Sequence, residues 1–278
     1  MLFTCDTRTR TILARVQPAF LDHPRPIAFA HRGGAAHRPE NSWLAFEHAV
    51  RLGYTYLETD ARATADGALI AFHDRTLDRA TDRTGTVAEL RHREVAAARI
   101  GGTEPIPLIE DLLGAWPGAR FNIDLKDALA VRPLIRALRR TAAWDRVCVT
   151  SFSARRLRAA RRLLDRPVCV ALSPAGVTRL RLAGRMRRRG GTLARWLALS
   201  GAGCAQVPAH TATAPFMRQA HALGLQVHVW TLNQRHEMER ALDLGADGIM
   251  TDETVMLRDL LAERGEWLTG PRASGQAG

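Results

Sequence analysis

The sequence predicts an α/β fold, a (β/α)8 barrel with an extra β-hairpin strand and a small insertion after it. Three observations lead there. Strand-type apolar runs recur nine times, amphipathic stretches of helical period separate most of them, and one short connection carries a tight-turn dipeptide. Length agrees, because 278 residues with 46% hydrophobic content can bury a full core, and barrels of ~250 residues commonly form one domain.

The apolar runs fall at 27–31, 56–60, 68–73, 120–125, 147–151, 168–172, 203–207, 226–230 and 247–251. Amphipathic stretches at 42–52, 131–141, 154–164, 214–223 and 234–244 are the expected crossover helices. Nine runs are one too many for an eightfold barrel. The second and third are too close for a parallel crossover, which needs a dozen or more residues. Their connection carries Asp66-Gly67, a dipeptide suited to a tight hairpin. The third run is therefore expected to fold back antiparallel on the second, with His73 opposite Asp60. Residues 75–118, with Gly85, Gly101-Gly102 and a Pro105 segment, read as an irregular insertion covering part of the barrel mouth. Residues 1–26 are an N-terminal arm, 27–268 a single catalytic barrel domain and 269–278 a small, polar, disordered tail.

The net charge of +12 comes nearly all from arginine. It favours an anionic substrate or surface, although an arginine-rich genome gives the same excess. No apolar stretch reaches the ~18 residues of a membrane span, and the first ten residues are polar with no signal core behind them. A cytoplasmic protein is expected. Of the four cysteines, Cys5 lies in the arm, while Cys148, Cys169 and Cys204 fall in apolar runs with no ligand-like spacing, which reads as buried free thiols. Segment 179–195, dense in arginine, reads as a solvated helix or a mobile flap.

The chemistry-bearing residues gather at strand ends, where parallel α/β folds place their sites. His31-Arg32-Gly33 ends the first run and is followed by Pro39-Glu40-Asn41-Ser42. Glu58 and Asp60 are two apart on a strand and share one face. If that face is buried, the pair needs a cation, and a hard divalent metal suits oxygen ligands. An exposed edge with two solvated acids is the alternative. Asp124 and Lys126 repeat the spacing with one acid and one amine, as a salt bridge or as a third carboxylate and a phosphate contact. His31 and His73 each end a strand and can serve as general acid and base. Trp230 closes a late strand, where it packs an organic part of a substrate or plugs the barrel. His37, His210 and His228 read as structural or exposed.

Together these ordered motifs, with Ile106–Leu112, Ser151-Phe152 and 247–252, resemble the glycerophosphodiester phosphodiesterases of the phosphatidylinositol-phospholipase-C-like barrel superfamily. The resemblance runs over nearly the whole chain. It implies a TIM-type barrel that hydrolyses glycerophosphodiesters to sn-glycerol 3-phosphate and an alcohol with one divalent cation, Mg²⁺ or Ca²⁺. The family's paired catalytic histidines fall on His31 and His73, and its metal-binding acids on Glu58, Asp60 and Asp124. Its phosphate contacts fall on Arg32 and Lys126, with Trp230 at the substrate and Glu40 and Asn41 in support. The third family acid is usually a glutamate, so Asp124 is shorter by the ~1.5 Å of one bond, which puts a direct metal bond in doubt. Two other readings stand beside this one. The first is a phospholipase-D-like or lyase activity on intact lysophospholipids, with weak contact to anionic membranes through the arginine-rich segment. The second is a catalytically inactive polyanion-binding protein; no aromatic and basic interleaving points to nucleic acid.

Overall fold

In the computed structural model the described residues are 18–24, 26–185 and 190–267. All nine predicted strands form. They are β1 (Ile27–Ala30), β2 (Tyr56–Ala63), β3 (Leu69–Ala71), β6 (Arg120–Leu125), β7 (Val147–Thr150), β8 (Cys169–Val170), β9 (Cys204–Pro208), β10 (Gln226–Trp230) and β11 (Gly248–Thr251), with a two-stranded hairpin, β4 (Arg99–Ile100) and β5 (Glu104–Pro105), between β3 and β6. The parallel strands follow one another in the order β8, β7, β6, β2, β1, β11, β10, β9. A parallel bridge between Ala171 and Cys204 joins the two ends, with Leu172 N–H donating to the Cys204 carbonyl at 2.9 Å. Eight parallel strands thus close a TIM-type barrel.

The helices are α1 (Trp43–Arg51), α2 (His92–Val95), α3 (Ile109–Ala115), α4 (Val131–Thr141), α5 (Ala154–Leu163), α6 (Pro174–Arg185), α7 (Gly190–Ser200), α8 (Ala214–Ala222), α9 (Arg235–Asp243) and α10 (Thr254–Glu263). Their buried stripes explain them. On α4, Val131, Leu134, Ile135 and Leu138 are buried at helical spacing. Ser42 caps α1 by accepting from the Ala45 N–H at 3.1 Å. Two apolar clusters fill the space between strands and helices. A third, inside the barrel, contains Phe20, Leu21, Phe29, Tyr56 and the three cysteines Cys148, Cys169 and Cys204.

The N-terminal arm is more than a leader to the barrel. Its short turn Ala19–Leu21 places Phe20 and Leu21 against the barrel interior. The Tyr56 hydroxyl donates to the Phe20 carbonyl at 2.6 Å, and the Gln226 amide to the Leu21 carbonyl at 3.1 Å. The rest of the arm up to residue 17, with Cys5, lies outside the described residues, as does the expected tail at 269–278.

One register expectation is corrected. Ala61 pairs with Ala71 and Ala63 with Leu69, so Phe72, not His73, stands opposite Asp60, its N–H donating to the Asp60 carbonyl at 2.9 Å. The turn is the reason. Thr64 N–H donates to the Ala68 carbonyl at 3.0 Å, enclosing three residues, and Gly67 takes a φ of 82° that glycine adopts without strain. A loop one residue longer than a two-residue turn slips the whole strand by one.

The insertion after β3 has its own small core of Ile70, Phe72, Leu77, Val87, Val95, Ala98, Ile100 and Ile106. Its far end is regular, since α3 is a barrel helix whose Ile109, Leu112 and Leu113 join the main core. The described parts of the arginine-rich segment are helical, in α6 and α7. There Arg179 stacks over Trp196 at 4.7 Å.

Candidate active site

Inward positions on each strand alternate with outward ones, so Glu58 and Asp60 on β2 and Asp124 on β6 all point into the barrel near its C-terminal mouth. Eight of the ten sequence-predicted site residues line one cavity of about 480 Å³ there: His31, Arg32, Glu58, Asp60, His73, Asp124, Lys126 and Trp230. Glu40 and Asn41 stand behind it. The exposed-edge alternative for the two acids does not hold, because Glu58 and Asp60 are 5% and 1% exposed.

The turn after β1 is bent to meet these acids. Arg32 and Asn41 adopt left-handed backbone with φ of 50° and 57°, a conformation that costs side-chain-bearing residues about 1–3 kcal/mol and gathers at functional sites. The contacts offset it. Arg32 N–H donates to Glu58 Oε2 at 3.0 Å, and Asn41 N–H donates to the Arg32 carbonyl at 2.9 Å. Asn41 Nδ2 donates to Asp60 Oδ2 at 3.0 Å. Gly33 turns the chain away with a φ of 85°, and a Cβ there would lie 2.9 Å from the Phe46 nitrogen.

Two cations sit among the acids. The Arg32 guanidinium reaches Asp60 at 3.2 Å and Glu40 at 3.0 Å, and Lys126 Nζ lies 2.8 Å from Asp60 and 2.6 Å from Asp124. Burial alone would raise the Asp60 carboxyl, but Lys126 and Arg32 outweigh it and hold Asp60 below the usual range. Glu58 receives less of that help. Burial and the neighbouring Asp60 push it up to about 7, against the pull of His31. Glu40 holds Arg32 and the insertion's Arg79 (2.6 Å) rather than meeting the acids.

Each histidine is anchored the same way. His31 Nδ1 lies 2.7 Å from Asp252 Oδ1, leaving Nε2 on the cavity side, 3.8 Å from Glu58. His73 Nδ1 lies 2.7 Å from Asp74 Oδ1, and Arg79 pairs with the other Asp74 oxygen. A carboxylate on Nδ1 fixes the tautomer and frees Nε2 for proton transfer. For His31, burial works to lower the pKa, but Glu58 and Asp252 together raise it.

The acids also suit a cation. Asp124 Oδ1 is buried without a hydrogen-bond partner, and burial beside Asp60 outweighs the pull of His31 and Lys126 on Glu58. An all-oxygen donor set of this kind fits a hard divalent ion. Lys126 stands between Asp60 and Asp124, so the shorter Asp124 is shared with the lysine.

Sequence reasoning missed the groups that position these side chains. Asp252 and Asp74 were legible only as strand-end acids, and Arg156, which donates to Ser151 Oγ at 2.8 Å and to the Lys126 carbonyl, gave no signal. Phe152, 59% exposed, meets Trp230 at 5.6 Å between ring centroids, and Lys126 Nζ lies 5.7 Å from its ring. Trp230 therefore lines the mouth rather than plugging the barrel. Arg181, from the arginine-rich segment, and His210, just past β9, also line the cavity. His37 is exposed beside Glu253, and His228 is buried.

A closed parallel barrel with buried acids, paired cations and two anchored imidazoles at its C-terminal mouth defines an enzyme of the TIM-barrel class built for an anionic substrate. The model of the glycerophosphoryl diester phosphodiesterase family matches residues 31–256, and the chain belongs to that family. It is similar to a probable glycerophosphodiester phosphodiesterase of Mycobacterium tuberculosis, 41% identical over 254 residues, 89% of this chain and 95% of that one. Two solved structures share the fold. A phosphodiesterase of Oleispira antarctica, in complex with the product sn-glycerol-3-phosphate, is 19% identical with a TM-score of 0.73, covering 86% of this chain and 97% of the other. A glycerophosphodiester phosphodiesterase of Agrobacterium tumefaciens is 21% identical with a TM-score of 0.71, covering 83% and 97%. The family generally depends on a divalent cation.

Proposed function

We propose that this chain hydrolyses glycerophosphodiesters to sn-glycerol 3-phosphate and an alcohol, with His31 and His73 as the acid and base pair. The observation that carries this reading is their matched anchoring, each imidazole held by a carboxylate on Nδ1 at 2.7 Å in one cavity with the acids and cations. A phosphodiester repels an oxygen nucleophile, and its alkoxide leaving group needs a proton. Arg32 and Lys126 contact the phosphoryl oxygens as charge builds on them. One imidazole takes the proton of the attacking oxygen at Nε2, and the other gives a proton to the departing alcohol.

Glu58 and Asp60, with Asp124, would hold the divalent cation, Mg²⁺ or Ca²⁺, which supplies further neutralisation of the phosphoryl group. Glu40 and Asn41 support this set by fixing Arg32 and Asp60. The ring faces of Trp230 and Phe152 take the alcohol half of the substrate. Residues 27–268 act as one catalytic unit in this reading. Among the described residues no helix is long and apolar enough to cross a membrane, and we place the activity in the cytoplasm, where thiols such as Cys148, Cys169 and Cys204 stay reduced.

The test is turnover of the choline, ethanolamine, glycerol and inositol glycerophosphodiesters with Mg²⁺ or Ca²⁺, reading released sn-glycerol 3-phosphate. At least one ester is expected to be cleaved. Failure of all four with both cations, in folded protein, overturns the reading.

A further inference from the structure

The barrel brings together what the sequence keeps apart. Cys148 on β7, Cys169 on β8 and Cys204 on β9 are all buried at 0 to 2% exposure. Their sulfurs lie within 4.8 Å of one another, with Cys148 and Cys204 at 4.0 Å. Three sulfurs on a tetrahedral zinc, each at about 2.3 Å, stand about 3.8 Å apart. The cluster is therefore close to ligand geometry without strand movement. It is also separate from the mouth. Cys148 is in register with Asn122, and Cys204 is two residues before Gln206 on the same face. Asn122 and Gln206 exchange side-chain hydrogen bonds at 2.7 and 3.3 Å across the cavity floor, and none of the three cysteines lines the cavity above it.

A second observation points into the same place. His228, on β10 beside β9, is 0% exposed, and its Nδ1 is buried without a hydrogen-bond partner. An unsatisfied buried ring nitrogen costs on the order of 1–3 kcal/mol, so its position asks for an acceptor of its lone pair. Its Nε2 lies 3.2 Å from Gln226 Oε1, which leaves Nδ1 as the ring nitrogen without a partner.

We propose that Cys148, Cys169 and Cys204 form a buried structural zinc site beneath the active-site floor, with the His228 imidazole turning in as the fourth ligand. Thiolate and imidazole donors are the soft and borderline set that selects Zn²⁺ over the hard cations suited to the carboxylates above. The site is primed for it. The three sulfurs already lie within 4.8 Å of one another, so little rearrangement separates the metal-free cluster from a liganded one. Binding displaces the protons of the coordinating thiols and ties four neighbouring strands together, β7, β8, β9 and β10, across the seam between β8 and β9 that an isolated bridge closes.

The experiment is elemental analysis of the full chain, purified without chelator from zinc-supplemented cells. About one zinc per chain is expected to survive dialysis against EDTA. Refolding with Co²⁺ alone should give the near-ultraviolet charge-transfer band of thiolate bound to cobalt, which carboxylates at the mouth cannot produce. Cys204→Ser should abolish that band, and His228→Ala should weaken zinc retention at least tenfold. If Cys204→Ser does not fold, the wild-type zinc content and cobalt spectrum decide. Zinc at background with no charge-transfer band overturns the proposal and leaves three thiols that merely pack.

Discussion

The barrel has two walls of opposite chemistry. On β6, β2, β1 and β11, which are adjacent in the sheet, the mouth positions carry Lys126, Asp124, Asp60, Glu58, His31 and Asp252. On β7, β8, β9 and β10 they carry Thr150, Leu172, Pro208 and Trp230, with Phe152, Arg181 and His210 beyond and no carboxylate among the described residues. The division gives a diester two different surroundings. In the proposed function its phosphoryl group lies against the wall of charges and its alcohol against the wall of rings. The contrast continues inward, because a wall free of carboxylates can bury three thiols in its next layer.

The sharpest way to break this comparison is to disable the charged wall alone. Exhaustive chelation should remove turnover, and added Mg²⁺ or Ca²⁺ should restore it; full activity after chelation would separate the acids from any cation. His31→Ala and His73→Ala should each lower kcat by ~10²-fold or more with circular dichroism unchanged. Near-normal turnover in either variant removes that histidine from the chemistry.

A finer cut leaves the imidazole in place and removes its anchor. Asp252→Asn takes an anion from His31, which otherwise keeps Glu58 as its nearby acid and Arg32 as its nearby cation. The His31 pKa should fall, moving the limb of the pH profile it carries to lower pH, with kcat down roughly tenfold. An unmoved profile would make Asp252 a purely structural partner.

These anchors also mark where sequence reading stops. The eight barrel strands and β3 were legible because an apolar run of 4–8 residues is local, and Asp66-Gly67 announced the hairpin, whereas the two-residue strands β4 and β5 carry no such run. The register slipped because the loop's length depends on whether Thr64 or Ala65 makes the first pair, which no propensity decides. Glu58, Asp60, Asp124 and Lys126 were legible because their pairing is the period of a strand. The bond from His31 to Asp252 spans 221 positions and the approach of Cys148 to Cys204 spans 56. Such contacts exist only once the barrel has closed. The cysteine spacing therefore looked unlike that of a ligand set, although adjacent strands bring the sulfurs together.

On the wall of rings the expected effects are smaller and fall on binding. Phe152→Ala should raise KM roughly threefold for a choline ester, the scale of an exposed cation and ring contact of about 0.5–1 kcal/mol, and less for the uncharged glycerol ester. Equal changes for both esters would mean that the ring packs without reading charge. A fall in kcat instead would place Phe152 with the charged wall.

The smallest effect tests the edge of the charged wall, where β3 leads into the insertion. Asp74 is held down to about 2, because its bonds with Arg79 and His73 outweigh the burial that would raise it. A carboxyl whose pKa is lowered by folding adds stability that is full above its ordinary value and is lost as pH falls toward the folded value. For Asp74 that window runs from about 4 down to about 2. Solvent screens a pair this exposed, so its share is about 1 kcal/mol or less. Thermal melts of the wild type and Asp74→Asn should therefore differ slightly at pH 6 and converge as the pH falls to about 2. A gap that stays constant across that range would mean that Asp74 acts through hydrogen bonds an amide can also make, and that the insertion is held to the barrel without its charge.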